Sequence, residues 1–126
     1  MRGLSETGLL ATESAKALGR IGSGAREAVP ALSNGLRNAD VYFRREVAKA
    51  LVRIGPEATG AVPALIEALR DKDKVVRLES ARALGRMGAA ARSAVPALTA
   101  ATKDSDDLVK RAAAQSLEAI QGGGGY

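Results

Sequence analysis

The tripeptide Ala-Val-Pro occurs at Ala28–Pro30, Ala61–Pro63 and Ala94–Pro96, each copy 33 residues after the last. A second marker keeps the same offset: Gly19–Gly22 (GRIG), Val52–Gly55 (VRIG) and Gly85–Gly88 (GRMG). A fixed period of this length belongs to one supersecondary unit used several times over, each copy burying its apolar face only against a neighbour. The unit is seen whole at 55–88, GPEATGAVPALIEALRDKDKVVRLESARALGRMG. It reads as one helix, a short acidic-basic turn and a second helix.

Read in this register, the chain is a single solenoid domain over 1–121, with a half repeat at 7–22 and whole repeats at 23–55, 56–88 and 89–121. Residues 1–6 form an entry, and the stretch 122–126 (GGGGY) is a flexible glycine-rich tail. The fold class is therefore all-α, an α-solenoid of about seven helices. Thr7, Asp40, Asp73 and Asp106 stand one register apart, each where a side-chain oxygen can cap the second helix. Gly22, Gly55 and Gly88 stand where that helix ends, Gln121 taking the place in the last copy. Pro56 follows Gly55 as a first position for the next helix. Pro30, Pro63 and Pro96 fall within the first helix, where a proline is expected to kink it or delay its regular part. The same bend in every repeat would curve the stack.

The buried faces follow from helical spacing. On the second helix Val76, Ser80, Leu84 and Met87 share one side, with Leu10–Leu18–Ile21, Phe43–Val47–Leu51–Ile54 and Val109–Leu117–Ile120 as counterparts. On the first helix Val62, Leu65, Ile66 and Leu69 do the same. Thr99 and Thr102 replace Ile66 and Leu69 in the last repeat, so the C-terminal end is expected to be softer. Tyr42, Phe43 and Tyr126 are the only aromatic residues, which leaves an aliphatic core.

Residue types exclude most chemistry. With no histidine and no cysteine, the usual zinc and iron ligands are missing and a serine triad has no base. The carboxylates Asp71/Asp73 and Asp104/Asp106/Asp107 sit in the helix turns, where capping explains them. An oxygen-only calcium site there is opposed by Lys72, Lys74 and Lys103. The reading is not an enzyme, with no cofactor and no metal. The N-terminus has no apolar run fit for a secretory signal or membrane span, so the default location is cytoplasmic.

The segment AVPALIEALRDKDKVVRLESARALGRMG at 61–88, with its in-register copies, resembles the HEAT repeat of the short bacterial type, found in phycobilisome-lyase-like and artificial HEAT-like proteins. The resemblance spans nearly all of 7–121. It implies a right-handed superhelix with first helices on the convex side and second helices on the concave side, in scaffolds and adaptors rather than enzymes. It also implies that Arg44, Arg77 and Lys110 match the family's interior basic residue, paired with loop acids such as Asp71 or Asp104. The half repeat breaks that column with Ala11.

With Leu84 buried, the opposite face of its helix carries Val75, Glu79, Arg82 and Arg86. The preceding copies carry Tyr42, Glu46, Lys49, Arg53 and Leu9, Glu13, Lys16, Arg20. Side by side they form a ribbon with one apolar, one acidic and two basic rows, and the last helix discharges it with Leu108, Ala112, Gln115 and Ala119. One reading is a solvated face with i,i+3 ion pairs. The other is a groove for a protein partner, with Tyr42 as the anchor, Val75 beside it, and Lys49, Arg53, Arg82 and Arg86 as charged grips. The alternative function is a nucleic-acid-binding module on the same basic rows. It is disfavoured by the acidic row and by the shortage of aromatics to stack bases, despite a net charge of +5.

The half repeat opens the chain with a second helix whose first helix is missing, leaving Leu10, Leu18 and Ile21 short of cover apart from Leu4. The sequence therefore predicts self-association through this N-terminal helix as a concentration-dependent dimer. Leu10→Glu with Leu18→Glu is expected to shift it to monomer. Sedimentation showing a strict monomer at high micromolar concentration would refute the expectation.

Overall fold

A computed structural model describes residues 26–122. Within them lie six α-helices: α1 (Val29–Gly35), α2 (Val41–Ile54), α3 (Val62–Ala68), α4 (Lys74–Met87), α5 (Val95–Ala101) and α6 (Asp107–Leu117). They alternate short and long, as three successive helix pairs. The seventh expected helix and its dimer surface, with Leu4, Leu10, Leu18 and Ile21, lie outside the described residues, as do the caps Thr7 and Gly22. No described helix is long and apolar enough to cross a membrane.

The caps form where the sequence put them. Asp40, Asp73 and Asp106 each have extended backbone, and their carboxylates accept the N–H of Phe43, Val76 and Val109 at 3.1, 3.0 and 3.1 Å. Each satisfies one orphan donor of a long helix. At the far ends Gly55 and Gly88 adopt φ of +77° and +60°, a region that costs a glycine nothing. Gln121 stands at this register in the last repeat, and there the chain runs on through a wide π turn, Glu118–Gly122.

The prolines do not kink the first helices. Pro30, Pro63 and Pro96 are each the second residue of α1, α3 and α5, in the first turn, where the missing N–H has no intrahelical acceptor to lose. What they do is delay the α-helix: tighter 3₁₀ segments, Thr59–Ala61 and Gly88–Ala94, lead into α3 and α5. Pro56 likewise sits in a separate 3₁₀ turn, Gly55–Glu57, and Ala58 interrupts the path to α3. The first helices are consequently only seven residues each.

The long helices run flank to flank, α2 against α4 and α4 against α6, and carry most of the contact between repeats. Their facing surfaces are built from Ala48, Ala50, Ala81, Ala83, Ala112 and Ala113, all buried. Gly85 makes the tightest approach: a Cβ there would stand 3.1 Å from the Ser116 Cα and would overlap the serine side chain. Ser116 uses the proximity, its hydroxyl donating to the Ala81 carbonyl at 2.6 Å across the two helices. Between the long and short helices lie Val47, Leu51, Ile54, Leu65, Val76, Leu84, Leu98 and Val109, fully buried. Each large aliphatic side chain in that layer contributes about 1.5–3 kcal/mol. Ile66 is only half-buried, so Thr99 at its register gives up little.

The basic column ties one repeat to the next. Arg44 Nε and Nη2 donate to Asp71 at 2.8 and 3.0 Å, while Nη1 donates to the carbonyls of Asn38 and Ala39. Arg77 repeats this with Asp104 at 2.9 and 3.1 Å and the carbonyls of Asp71 and Lys72. Asp71 and Asp104 also accept the N–H of Asp73 and Asp106, shaping the turn. Asn38 shapes the first turn in the same way, accepting from Asp40 N–H. Among the described residues Lys110, the third member, forms its ion pair with the exposed Asp107 of its own helix, at 3.3 Å.

A second strut stands beside the first: Arg45 donates to both oxygens of Asp73 at 3.0 and 2.7 Å. With the Val76 N–H also on the carboxylate, the Arg45 bond holds Asp73 down to about 2, against an ordinary 3.8. Burial pushes the Asp104 carboxyl upward, but Arg77 and the Asp106 N–H outweigh it and leave its pKa lowered. A carboxylate depressed in this way stabilises the fold above its unfolded pKa, and that stability is lost as pH falls through the folded value. The urea midpoint should hold steady above about pH 4 and fall between about pH 4 and pH 2. Arg45→Leu, which installs the residue found at Leu78, should narrow the difference in midpoint between the two ends of that window. An unchanged difference would show that Asp73 does not depend on Arg45.

One buried polar group has no partner. The Ser80 hydroxyl is fully buried in α4 without a hydrogen bond, at a register held by Val47 and Ala113 in the neighbouring repeats. An orphaned hydroxyl in such a place is a liability. Ser80→Ala should raise the unfolding free energy by about 1 kcal/mol, seen as a higher urea midpoint at constant slope. A loss of stability would mean that the hydroxyl is bonded in solution.

Candidate interaction surface

Because α2, α4 and α6 lie side by side, residues one period apart come into rows across their outer face. Tyr42, Val75 and Leu108 start the three helices, with Tyr42 65% and Leu108 57% exposed and Val75 half-buried between them. Tyr42 is held in place: the Arg45 guanidinium lies 5.3 Å from its ring centroid. Arg45 is itself anchored on Asp73, the cap of α4, and that bond together with the nearby Tyr42 keeps its own pKa raised. The aromatic side chain is exposed yet tied through two links to the next repeat.

The acidic row is not solvated in the manner of the rows beside it. Glu79 is 9% exposed, and Arg82 reaches it only loosely at 3.4 Å. Glu46 is half-buried under Lys49, at 3.8 Å. The i,i+3 pairs do form, but with the carboxylates recessed and the cations outermost. The outer face is therefore more basic than a count along the sequence suggests.

The cations divide by environment. Arg53 and Arg82 are exposed, and Arg53 has no ion pair or hydrogen bond among the described residues. Arg86 points back to the preceding repeat, its Nε donating to the Val52 carbonyl at 3.0 Å. Its guanidinium lies over Gly55, so closely that a side chain at 55 would collide with it. Arg86 thus clasps the end of α2 while remaining exposed. Beside it an open groove of about 410 Å³ runs between α4 and α6. Gly85 and Ala112 line it together with Val52 and Gln115, and Arg82 and Arg86 flank it.

Of the six residues singled out by sequence, the structure brings Arg82 and Arg86 together at this groove, places Lys49 and Arg53 one helix away, and leaves Tyr42 and Val75 at the starts of their helices. Arg45 was missed as a contributor, and Gly85, readable as a helical glycine that permits close helix contact, was not foreseen as part of a groove. The signal for Arg45 was its place beside Arg44 in the basic column. The signal for Gly85 was that Val52 occupies its register one repeat earlier.

The comparisons with known proteins agree with this architecture. The family model for HEAT repeats matches residues 29–118, and the model for the PBS lyase HEAT-like repeat matches residues 10–38. No relative is found among curated proteins. Among solved structures, the chain is similar to the crystal structure of an engineered protein from a structural-genomics consortium, with a TM-score of 0.71 and 29% identity. That match covers 86% of this chain and 55% of the engineered one, so the present chain spans about half the length of its counterpart. HEAT repeats generally serve as interaction scaffolds. With a continuous match from the first described helix to the last, and helix pairs recurring at the matching period, this chain belongs to the HEAT repeat family.

Proposed function

We propose that the chain is a non-enzymatic adaptor that binds a protein partner along the face of its second helices, and that the partner brings an acidic segment to that face. The observation that carries this reading is the recession of Glu46 and Glu79 beneath Lys49 and Arg82. It leaves Lys49, Arg53, Arg82 and Arg86 as the outward charges on two adjacent helices. Tyr42 supplies an aromatic anchor already ordered by Arg45, so little side-chain entropy is lost when it is covered. The groove over Gly85 admits a small side chain or a close backbone between two arginines. Family membership supports the same reading.

The test must avoid Arg86, whose bond to Val52 gives it a structural share. Arg53→Glu with Arg82→Gln strips the positive charge from both positions without setting a second carboxylate against the recessed Glu79, and should leave the melting temperature close to that of the wild type. Proteins retained from the source cell by the immobilised wild-type chain should be lost with this double variant and reduced with Tyr42→Ala. Retention of the same partner by both variants would overturn the assignment of the face. Binding of random duplex at micromolar concentration or tighter, falling steeply with salt, would favour the nucleic-acid reading instead.

A further inference from the structure

The opposite side of the stack carries a site that the repeat register exposes. Between α1 and α3 the side chains of Arg37 and Glu67 meet at 2.9 Å. The Arg37 guanidinium holds the Glu67 carboxyl below its ordinary pKa. One period on, Arg70 stands at the register of Arg37, but Ala100 stands at that of Glu67. Arg70 is exposed and makes no ion pair or hydrogen bond through its side chain among the described residues. Where the carboxylate is missing, a groove of about 400 Å³ opens between α3 and α5, lined by Ile66, Leu69, Arg70, Ala97 and Ala100. Asp104 closes one end and is already engaged by Arg77 and the Asp106 N–H.

We infer that this groove docks a short segment of a partner protein that presents one carboxylate to Arg70 and an aliphatic side chain to Ile66, Ala97 and Ala100. The chain itself supplies the template, since Glu67 makes this contact with Arg37 one repeat earlier. A single guanidinium suits a single carboxylate, which it can grip through two parallel N–H donors. A polyanion is disfavoured, because Asp104 shares the groove and no second cation lines it. The volume lies at the low end of ligand-sized cavities, roughly 300–1,000 Å³, so side chains enter rather than a whole helix. Half-buried Ile66 gains the cover that its fully buried neighbour Leu65 already has. The site shares no residue with the second-helix face and stands or falls independently of it.

The probe is a short blocked peptide in which one glutamate is set among leucines and alanines, beside a twin carrying glutamine, titrated into the isotope-labelled full chain by NMR. The glutamate peptide should shift the amides of Ile66–Arg70 and Ala97–Ala101, and the glutamine twin should bind about two- to fivefold more weakly. Ala100→Glu returns the missing carboxylate to the chain and should remove those shifts, whereas Arg53→Glu with Arg82→Gln should leave them intact. Scattered shifts, equal affinity of the two peptides, or binding that survives Ala100→Glu would each overturn the proposal. Duplex DNA shifting the same residues as strongly would show a general anion site and overturn it too.

Discussion

Each arginine of the basic column connects three things: the turn of its own repeat, the turn of the next, and the start of a long helix. Arg77 spends one nitrogen on the carbonyls of Asp71 and Lys72 and the other two on Asp104, whose Oδ1 also orders the turn ahead of α6. Without it those carbonyls and that carboxylate, all at a crowded junction, would need water or other partners. The side chains of Arg77 and Asp104 are 15% and 11% exposed. An apolar pair of similar volume could stabilise as well, but removing one partner from so sheltered a pair costs about 3–5 kcal/mol. The directional bonds therefore fix the geometry at which repeats meet more than they add to net stability. Lysine cannot do this, having a point charge in place of a planar fork. In the last repeat Lys110 pairs with Asp107 of its own helix, at 3.3 Å.

Once the turns are locked, the spacing of the long helices is no longer free, and side-chain size has to match it. Alanines line the α2–α4–α6 seams, and at the closest point only Gly85 fits beside Ser116. The same closeness explains the electrostatic character of the outer face. The Glu46 and Glu79 side chains are recessed, while the longer Lys49 and Arg82 side chains beside them reach farther into water. The basic surface is thus a consequence of tight packing and does not require an unusual excess of positive residues.

Features that recur at the period itself were legible in the sequence: the three Asp caps, the positive-φ glycines and the identity of the arginine column. Apart from the pairing of the arginine column with Asp71 and Asp104, which the family resemblance implied, contacts between repeats were harder to read, because their sequence offsets differ from the period. Arg44 meets Asp71 at 27 residues, Arg45 meets Asp73 at 28, Arg37 meets Glu67 at 30, Arg86 meets Val52 at 34 and Ser116 meets Ala81 at 35. Those offsets depend on how far one helix pair is displaced along its neighbour, a quantity no spacing rule supplies. For the prolines the delayed start of the regular helix was legible, whereas the kink did not form. The Ala-Val-Pro motif marks where the regular α-helix begins, and the 3₁₀ turns before it carry little periodicity of their own.

A perfectly repeated chain would place the same internal partner at every junction and satisfy itself. This chain departs from its own repeat most at the junction of its second and third whole repeats. Glu67 becomes Ala100, Val52 becomes Gly85, and Arg86 becomes Ala119. Each change removes a side chain that fills space or neutralises charge one repeat earlier. The two grooves lie at this junction on opposite sides, one beside Arg82 and Arg86 and the other beside Arg70. Meanwhile Arg77–Asp104 holds the same junction as firmly as Arg44–Asp71 holds the one before it. Conserving the strut while thinning the surface around it leaves cations ordered by a rigid frame without internal partners for all of them. The two docking sites proposed above lie where side chains are left unanswered in this way.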